Sequence, residues 1–337
     1  MRTVVMTGAS GVIGRAVIAE LRDHRVIGLV NSDANLPEAD RVIKSDLSQP
    51  RLGLSEQEWH ALAEETDVIV HSGALTVWGQ PRERYQAINI AGTRTVLELA
   101  RLAGAPVHLV STCFVHAIEL DRLDELSDDN VVAPYIWSKL EAEKLVAQSG
   151  VPYSIFRPTN LVGDSRTGAS SRPQIVQLMS DWMCRGKAPF FPVHPGNLVD
   201  VVPLDVTAIA IARAVETDDL GGGLHWLTYG GDAMTVDEAQ DILLEHARNL
   251  GRDLDRIPVV DPRGELPVPL ASVSPMSRTF LKVLIDVSEV TAASGGVLPT
   301  SLPDLWPKGV PAVSDRDSYR LSLKYWWNEA NAAKEML

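Results

Sequence analysis

The segment Thr7–Gly14 constrains the fold of this chain more than any other. It reads Thr-Gly-Ala-Ser-Gly-Val-Ile-Gly, follows the apolar residues 3–6, and precedes residues 12–21, whose apolar spacing suits a helix. Its three glycines allow a tight turn between strand and helix, a close approach of the backbone to a pyrophosphate, and close packing of the helix on the strand. The segment therefore predicts a dinucleotide-binding loop; the alternative is an ordinary helix that opens with small residues.

A second pattern, Tyr135-Ile136-Trp137-Ser138-Lys139, indicates redox chemistry at a bound nucleotide. Because Tyr135 and Lys139 are four residues apart, both side chains project from one face of a helix. We expect the ammonium group to favour the phenolate and so to lower the pKa of Tyr135. The spacing alone also fits a packed tyrosine beside an exposed lysine, and the upstream glycine loop is what favours the catalytic interpretation.

Short β-branched runs alternate with helical patterns, which predicts an α/β fold with a doubly wound parallel sheet of the Rossmann type. The predicted strands are residues 3–7, 25–30, 67–71, 106–111 and 153–157, and the predicted helices lie near residues 12–22, 55–65, 81–103 and 134–149. We place a dinucleotide-binding domain at residues 1–165. Residues 166–337 are assigned mainly to a smaller substrate-binding domain, with some segments returning to the sheet. The proline-rich stretch from Ile257 to Pro311 predicts loops over that domain.

Composition excludes several classes of function. The net charge of −13 opposes binding to nucleic acid, whose phosphates require a basic surface. The cysteines, Cys113 and Cys184, cannot form a disulfide framework and, like the scattered histidines, show no metal-ligand spacing, so we expect no metal. No apolar run approaches the ~20 residues that a membrane-spanning helix needs, and the first residues lead directly into a strand. We therefore expect a cytoplasmic protein without a membrane partner.

With both patterns in place, the chain resembles the extended short-chain dehydrogenase/reductases from residue 1 to about residue 210. Three longer segments are similar to the thioester reductase branch, which includes the terminal reductase domains of nonribosomal peptide synthetases and carboxylic acid reductases. They are residues 46–55 (Asp-Leu-Ser-Gln-Pro-Arg-Leu-Gly-Leu-Ser) with Trp59, residues 71–74 (His-Ser-Gly-Ala) and residues 163–168 (Gly-Asp-Ser-Arg-Thr-Gly). The resemblance implies a Rossmann fold and an NAD(P)H-dependent reductase.

The resemblance also implies roles for individual residues. Thr112, three residues before Val115, stands at the family's hydroxyl position and would donate a hydrogen bond to a substrate carbonyl. Asn89 would brace the site from a neighbouring helix. The expected catalytic residues are Thr112, Tyr135, Lys139 and Asn89. The expected cofactor-binding residues are Gly8, Ser10, Gly11, Val12, Ile13, Gly14, Arg15, Asn31, Asp46, Leu47, Gly73, Ala74, Tyr135, Lys139, Pro158 and Asn160.

Simpler roles stay open for three of these residues. Thr112 could satisfy its own backbone at a strand end, Asn89 could be an ordinary helix residue, and Asp46 could cap a turn. Cys113 adjoins Thr112, but we assign it no nucleophilic role, because no base or electropositive setting is evident for a thiolate. A residue next to Thr112 on an extended strand also points to the opposite side. We expect Cys113 to be packed.

The choice between NADPH and NADH depends on the end of the second strand, where a carboxylate favours NAD and a basic residue accepts a 2′-phosphate. The strand runs into Asn31-Ser32-Asp33, which meets neither condition. Related thioester reductases commonly carry arginine close to Asn31. Arg15 could supply the missing cation from the first helical turn, whereas Asp33 favours NADH. We expect NADPH, with NADH as the alternative.

The residues and the resemblance together predict reduction of an acyl thioester to an aldehyde or an alcohol. The acyl group would be carried by coenzyme A or, as we expect, by a separate acyl or peptidyl carrier protein. Cations near residues 163–168 could meet the phosphate of a phosphopantetheine arm and an acidic carrier surface. They are Arg166, Arg172, Arg185 and Lys187.

Other functions use the same fold. Reduction of a ketone or a free aldehyde needs the same residues and stays open, as does nucleotide-sugar epimerisation. Dehydration is disfavoured because Cys113 and Phe114 stand where dehydratases of this group have acidic residues. A catalytically silent nucleotide-sensing protein is disfavoured because such relatives commonly lose the tyrosine or the lysine, and this chain has both.

Overall fold

The computed structural model of the protein describes residues 1–31, 35–217, 222–306 and 312–335. The strands are β1 Thr3–Thr7, β2 Arg25–Val30, β3 Arg41–Lys44, β4 Val68–His71, β5 Val107–Val110, β6 Tyr153–Pro158, β7 Asn160–Val162, β8 Phe191–Pro192, β9 Val201–Pro203, β10 Leu224–Leu227 and β11 Val259–Val260. The helices are α1 Val12–Glu20, α2 Glu56–Glu65, α3 Arg82–Tyr85, α4 Ala91–Ala103, α5 His116–Glu119, α6 Ala133–Ala147, α7 Ile175–Cys184, α8 Leu204–Glu216, α9 Val236–Asn249, α10 Pro275–Ala293, α11 Leu302–Leu305 and α12 Asp315–Glu335. A π turn, Gln86–Ile90, joins α3 to α4.

The described chain forms two compact units. Unit 1 comprises Met1–Val115, Pro134–Pro158 and Thr207–Leu227, and unit 2 comprises His116–Ala133, Thr159–Val206 and Thr228–Leu337. The chain thus passes between the units several times. The simpler boundary after residue 165 that we inferred from the sequence stays a prediction.

Unit 1 contains a seven-stranded parallel sheet in the order β10-β6-β5-β4-β1-β2-β3. The doubly wound parallel sheet that we predicted is therefore confirmed. After β3 the chain crosses to β4, on the other side of β1, so the strand order reverses between β1 and β4. Ligands of such sheets bind outside the carboxyl ends of the strands at this switch point. The register places Thr7 of β1 beside His71 of β4 at that end.

Both faces of the sheet are covered by helices, which explains why its central strands read as continuous apolar runs. The core of unit 1 includes Val5 and Ile69 from the strands, with Trp59 from α2 and Val96 from α4, all buried. A capping box begins α2: the Ser55 side chain accepts a hydrogen bond from the Glu58 amide, and the Glu58 carboxylate accepts one from the Ser55 amide. Local sequence and packing therefore agree in this unit.

Unit 2 is built around α7, α9, α10 and α12, with Trp182, Phe190, Leu281 and Tyr319 in its core. We expected loops from Ile257 to Pro311, and this expectation is wrong for α10. The Ser274 side chain accepts a hydrogen bond from the Ser277 amide, and Pro275 occupies the first helical position. Proline is tolerated there because the amide at that position has no partner within the helix. Among the described residues, no helix has both the length and the apolar character to cross a membrane.

The segment Gly163–Gly168 forms a tight loop against α12 in unit 2. The Asp164 carboxylate accepts hydrogen bonds from the amides of Arg166 and Thr167, and the Gly163 amide donates to the Ser322 hydroxyl at 3.1 Å. Gly168 has a φ of +75°, and a Cβ there would lie 2.2 Å from the Leu321 carbonyl oxygen. The loop therefore requires glycine at its last position.

Candidate active site

The glycine loop joins β1 to α1 and contacts the end of β4. Gly8 has a φ of +67°, and a Cβ on it would lie 2.6 Å from the Gly73 amide nitrogen. A Cβ on Gly14 would lie 2.3 Å from the Gly8 carbonyl oxygen. Gly11 caps α1 without a side-chain hydrogen bond, and the first turn of α1 carries no acidic residue. This turn can therefore present its backbone amides to an anion, which fits the pyrophosphate of a dinucleotide.

Asp46 and Leu47 occupy the turn after β3. One Asp46 carboxylate oxygen accepts hydrogen bonds from the amide and the hydroxyl of Ser48, at 2.8 and 2.7 Å. Asp46 thus does cap a turn, the simpler role that we left open. Leu47 packs where Cβ atoms on Gly73 and Gly92 would lie, each 3.0 Å from a Leu47 carbon. The structure thereby brings Gly8, Gly73 and Leu47 together.

Arg15 is already held by protein groups. Its guanidinium lies 3.2 Å from the Glu38 carboxylate and donates to the Asn35 carbonyl oxygen at 2.5 Å. The Asn31 side chain donates to the Ser45 carbonyl oxygen at 3.3 Å. Ser32 and Asp33, on which part of the cofactor preference rests, lie outside the described residues. A 2′-phosphate at Arg15 would therefore have to displace Glu38.

The remaining predicted cofactor residues are distributed as follows. Ser10, Val12 and Ile13 lie in the loop and the first turn of α1, Ala74 follows Gly73, and Pro158 ends β6. Asn160 belongs to β7 of unit 2, where its side-chain amide donates to the Asp200 carbonyl oxygen at 3.4 Å. Asn160 therefore belongs to a different unit from the other predicted cofactor residues.

Tyr135 and Lys139 lie on α6, and both are buried. The Lys139 ammonium donates to the Val110 carbonyl oxygen at 2.6 Å, so it lies at the carboxyl end of β5. Thr112 follows two residues later, and its hydroxyl oxygen accepts a hydrogen bond from the Phe114 amide at 3.4 Å. No acceptor for the hydroxyl hydrogen of Thr112 lies within reach among the residues described. Three of the predicted catalytic groups therefore belong to the end of β5 and the helix that contacts it.

The pKa shifts differ from our expectation. The pKa of Tyr135 is raised, first by burial and then by the neighbouring Cys113 and Tyr85, and Lys139 does not lower it. The expectation that the ammonium favours the phenolate is therefore wrong for this structure, where the ammonium is hydrogen-bonded to Val110. Burial also lowers the pKa of Lys139 to about 8, against the opposing influence of Glu143. Tyr135 consequently keeps its proton at neutral pH.

Cys113 is fully buried, which confirms that it is packed. One reason we gave, that Cys113 follows Thr112 on an extended strand, is wrong, because β5 ends at Val110 and Cys113 begins a short 3₁₀ turn, Cys113–Val115. Its thiol interacts electrostatically with the Tyr135 phenol. The residue after Thr112 therefore contributes to the surroundings of the Tyr135 phenol.

Asn89 lies in the π turn and connects two parts of unit 1. Its side-chain oxygen accepts from the Leu75 amide at 2.7 Å, and its side-chain nitrogen donates to the Ser138 hydroxyl at 2.9 Å. Ser138 in turn donates to the Tyr135 carbonyl oxygen at 2.7 Å. Asn89 therefore braces the first turns of α6 through its side chain, and it is not the ordinary helix residue that we left open as an alternative.

A buried histidine extends this network to the glycine loop. The Gly73 amide donates to the Thr7 hydroxyl at 3.0 Å, and Thr7 contacts His71 Nδ1 at 2.7 Å. His71 Nε2 lies 3.0 Å from the Thr93 hydroxyl, which donates to the Asn89 carbonyl oxygen. Because Thr93 spends its one hydrogen on Asn89, His71 Nε2 carries the proton and Nδ1 accepts from Thr7. Burial lowers the pKa of His71 to about 3, so the ring is neutral.

Several residues of the site were missed at the sequence level. Ser138 and the trio of Thr7, His71 and Thr93 belong to its hydrogen-bond network, and Ser111, beside Thr112, has a buried hydroxyl without a partner among the described residues. Ser138 lies between Tyr135 and Lys139, and Thr7 and His71 belong to segments that we quoted from the sequence. Their hydrogen bonds depend on strand register and on helix packing, which the sequence does not specify.

Solved structures with this fold include terminal reductase domains. The terminal R domain from the myxalamid PKS-NRPS biosynthetic pathway is 26% identical, with a TM-score of 0.74 over 98% of this chain and 92% of that chain. UDP-glucose 4-epimerase from Thermotoga maritima is 18% identical, with a TM-score of 0.64 over 97% of this chain and 99% of that chain, and shows the fold alone. Fold and site together define an extended short-chain dehydrogenase/reductase, an NAD(P)-dependent oxidoreductase.

The sequence narrows this class to a family. The profile of the NAD_binding_4 family, described as "Male sterility protein", matches residues 30–211, and the chain belongs to this family. A linear gramicidin synthase protein of Brevibacillus parabrevis is 28% identical over 306 residues, which cover 75% of this chain and 6% of that protein. The hybrid PKS-NRPS synthetase pvhA of Talaromyces variabilis is 31% identical over 226 residues, which cover 63% of this chain and 6% of that protein. The chain thus spans about 6% of the length of the curated relatives it matches.

Proposed function

We propose that the chain reduces an acyl thioester, presented on the phosphopantetheine arm of a carrier protein, with NADPH as the hydride source. One observation carries the proposal: the likeness to a terminal R domain of a PKS-NRPS pathway extends over 98% of the chain. The relatives that match by sequence are multidomain synthetases. Reductive release of a carrier-bound product is the chemistry that fits a reductase related to such synthetases.

The glycine loop, with Gly73, fits the cofactor, because its glycines allow the backbone contacts that any Cβ would prevent. We assign the pyrophosphate to the first turn of α1 and the adenine to the turn that holds Leu47. When bound, the reduced nicotinamide supplies the hydride. Arg15 is the proposed partner of the 2′-phosphate, in exchange for Glu38.

Tyr135 is the proposed proton donor. Its raised pKa suits this role, because the phenol stays protonated until charge develops on the substrate oxygen. Thr112 can donate its hydroxyl hydrogen to the same oxygen. Lys139 is assigned to the nicotinamide ribose. Asn89 holds α6, the helix that carries Tyr135 and Lys139. Addition of hydride to the thioester carbon and of a proton to its oxygen gives a hemithioacetal. Its collapse releases an aldehyde and the carrier thiol, and a second reduction gives the alcohol.

The four cations that we assigned to carrier docking are not equivalent in the structure. Arg166 pairs with Asp164 at 3.2 Å and Arg185 pairs with Asp181 at 2.7 Å. Arg172 and Lys187 are exposed, and neither forms an ion pair within the described parts of the chain. They are therefore the cations we assign to an acidic carrier surface.

The deciding experiment follows NADPH oxidation with an acyl carrier thioester, the coenzyme A thioester and the matching free aldehyde. Arg172→Glu combined with Lys187→Glu should weaken reduction of the carrier thioester and leave aldehyde reduction intact. Arg94→Glu, an exposed cation on α4, reverses a charge elsewhere and serves as the control. If the enzyme reduces aldehydes or ketones but no thioester, the proposal fails and a plain carbonyl reductase is the better description. Turnover of a nucleotide sugar without net NADPH oxidation would indicate an epimerase.

A further inference from the structure

A third polar residue lies on the catalytic face of α6. Glu143 follows Lys139 by four residues, as Lys139 follows Tyr135, so all three project from one side of the helix. All three are buried. A carboxylate in such a position needs a partner, because an isolated buried charge is costly.

Arg157 of β6 is that partner. Its Nε donates to one Glu143 oxygen at 3.0 Å, and a terminal guanidinium nitrogen donates to the other at 2.5 Å. The exposed fractions of the two side chains are 1% for Arg157 and 6% for Glu143. The guanidinium also lies over the ring of Trp226, 4.6 Å from its centroid, on the adjacent strand β10. The two-point contact fixes the position of the Glu143 carboxylate.

Stability alone does not explain this pair. Replacement of a buried ion pair by well-packed apolar side chains is often neutral or stabilising, since the attraction barely offsets the loss of hydration. What distinguishes the pair is that Glu143 lies one helical turn from Lys139 on the same face of α6, where both are buried and the carboxylate acts electrostatically on the ammonium. On the other elements that pack around Lys139, β5 offers the neutral Val110 carbonyl and β4 offers the neutral imidazole of His71.

We propose that Glu143, clamped by Arg157, is a positioning residue that supplies the negative charge holding the Lys139 ammonium in place for reduction. The inference rests on the proposed roles of Tyr135 and Lys139. Arg157 acts through Glu143, whose carboxylate it holds with two hydrogen bonds.

The pH dependence of reduction reports this arrangement. Burial lowers the pKa of Lys139 from its ordinary value to about 8, and Glu143 opposes that shift. Removal of the carboxylate therefore lowers the pKa of Lys139 further, so the lysine loses its proton at lower pH. The raised pKa of Tyr135 and the low pKa of His71 keep both groups from titrating near neutral pH. The alkaline limb of the rate profile should consequently move to lower pH.

The test uses the double variant Glu143→Met/Arg157→Met, which removes both charges and leaves neither buried partner unpaired. Its rate of aldehyde reduction with NADPH is measured from pH 6 to pH 10. We expect the double variant to fold and its alkaline limb to lie about one pH unit lower than that of the wild type. At pH values above the limb its rate should be roughly tenfold lower, and the rate should recover as the pH falls. Glu143→Asp, which keeps the charge at a greater distance, should shift the limb less in the same direction and decides the question if the double variant does not fold. An unmoved limb overturns the proposal.

Two controls separate this inference from the proposed function. Glu141→Gln removes a carboxylate of the same helix that pairs with Lys144 at 2.8 Å on the surface, and it should leave the limb in place. Lys139→Met should abolish most activity. If Lys139→Met keeps full turnover, the proposed role of the lysine fails; if it is inactive and the double variant has the wild-type limb, only the role of Glu143 fails.

Discussion

Gly8 and Gly73 meet backbone to backbone, and a Cβ on Gly8 would lie 2.6 Å from the Gly73 amide nitrogen. The contact joins the loop after β1 to the end of β4. A Cβ on Gly73 would in turn lie 3.0 Å from Leu47 and 3.1 Å from the Gly8 amide nitrogen. The two glycines therefore fix the spacing of the cofactor loop from the sheet.

Substitution of Gly8 should be costly for two separable reasons. Gly8→Ala is expected to lower the free energy of unfolding by roughly 2–5 kcal/mol, from about 1–2 kcal/mol for an alanine in the left-handed region and about 1–3 kcal/mol for the clash. Gly104, with the same φ of +67° and no atom within 4 Å of an added Cβ, isolates the first cost. Urea unfolding of Gly8→Ala and Gly104→Ala makes the comparison. Equal losses would show that the contact with Gly73 carries no energy.

Tyr135→Phe should remove the proton donor and keep the ring against Tyr85, whose centroid lies 6.2 Å away. Turnover is expected to fall by a factor of ~100 or more, with NADPH affinity nearly unchanged. Tyr153→Phe is the matched control, since the Tyr153 hydroxyl of β6 has no hydrogen bond among the described residues. Steady-state rates and nucleotide fluorescence titrations measure the two quantities. Substantial reduction by the phenylalanine variant would remove Tyr135 from the mechanism.

The Arg15–Glu38 pair gives opposite expectations for its two members. Arg15→Ala should weaken NADPH by about tenfold and NADH much less, because a charge-assisted contact to the 2′-phosphate is lost. Glu38→Gln should instead tighten NADPH relative to NADH, because it removes the negative charge that competes with the 2′-phosphate for the Arg15 guanidinium. Dissociation constants of both nucleotides for both variants decide the matter. Parallel changes for NADH and NADPH, or tighter wild-type binding of NADH, would contradict the assignment.

Asp200, a buried carboxyl of unit 2, should make stability depend on pH. Burial raises its pKa to about 7, although the Tyr229 and Gly230 amides donate to it. The pKa of an unfolded aspartate is about 3.9, so the stabilising contribution of Asp200 is complete below that pH and is lost as the pH rises towards 7. Asp200→Asn cannot ionise and should gain stability relative to wild type across this range. Asp128→Asn, at an exposed position in the same unit, should follow wild type, and urea midpoints from pH 4 to 8 test the difference.

The parts of the fold that the sequence predicts are those with local signals. The glycine loop, its flanking strand and helix, and the spacing of Tyr135 and Lys139 are all encoded within a few residues of one another. The short strands β3 and β10 were missed, because each has only four residues and an incompletely buried pattern. The proline-rich stretch from Ile257 to Pro311 misled us in a different way. It contains α10, which begins at Pro275, and a proline that would break a helix interior suits a helix start.

The electrostatics of the site could not be predicted from spacing. The direction of the Lys139 ammonium depends on the depth of the helix against β5, where the Val110 carbonyl competes for it. Glu143 and Arg157 are only 14 residues apart, but their pairing requires α6 to lie over β6. Such contacts follow from tertiary packing, and the pKa shifts follow from the contacts.

The contact of Gly168 with Leu321 links two stretches of chain that lie far apart in sequence. The Gly168 backbone packs closely against the Leu321 carbonyl, and the Ser322 hydroxyl accepts a hydrogen bond from the Gly163 amide. The conformation of the loop therefore depends on this part of α12. Chimeras that transplant the loop alone between relatives should therefore misfit their new host. A chimera that folds correctly would have to exchange the loop and the contacting stretch of α12 together.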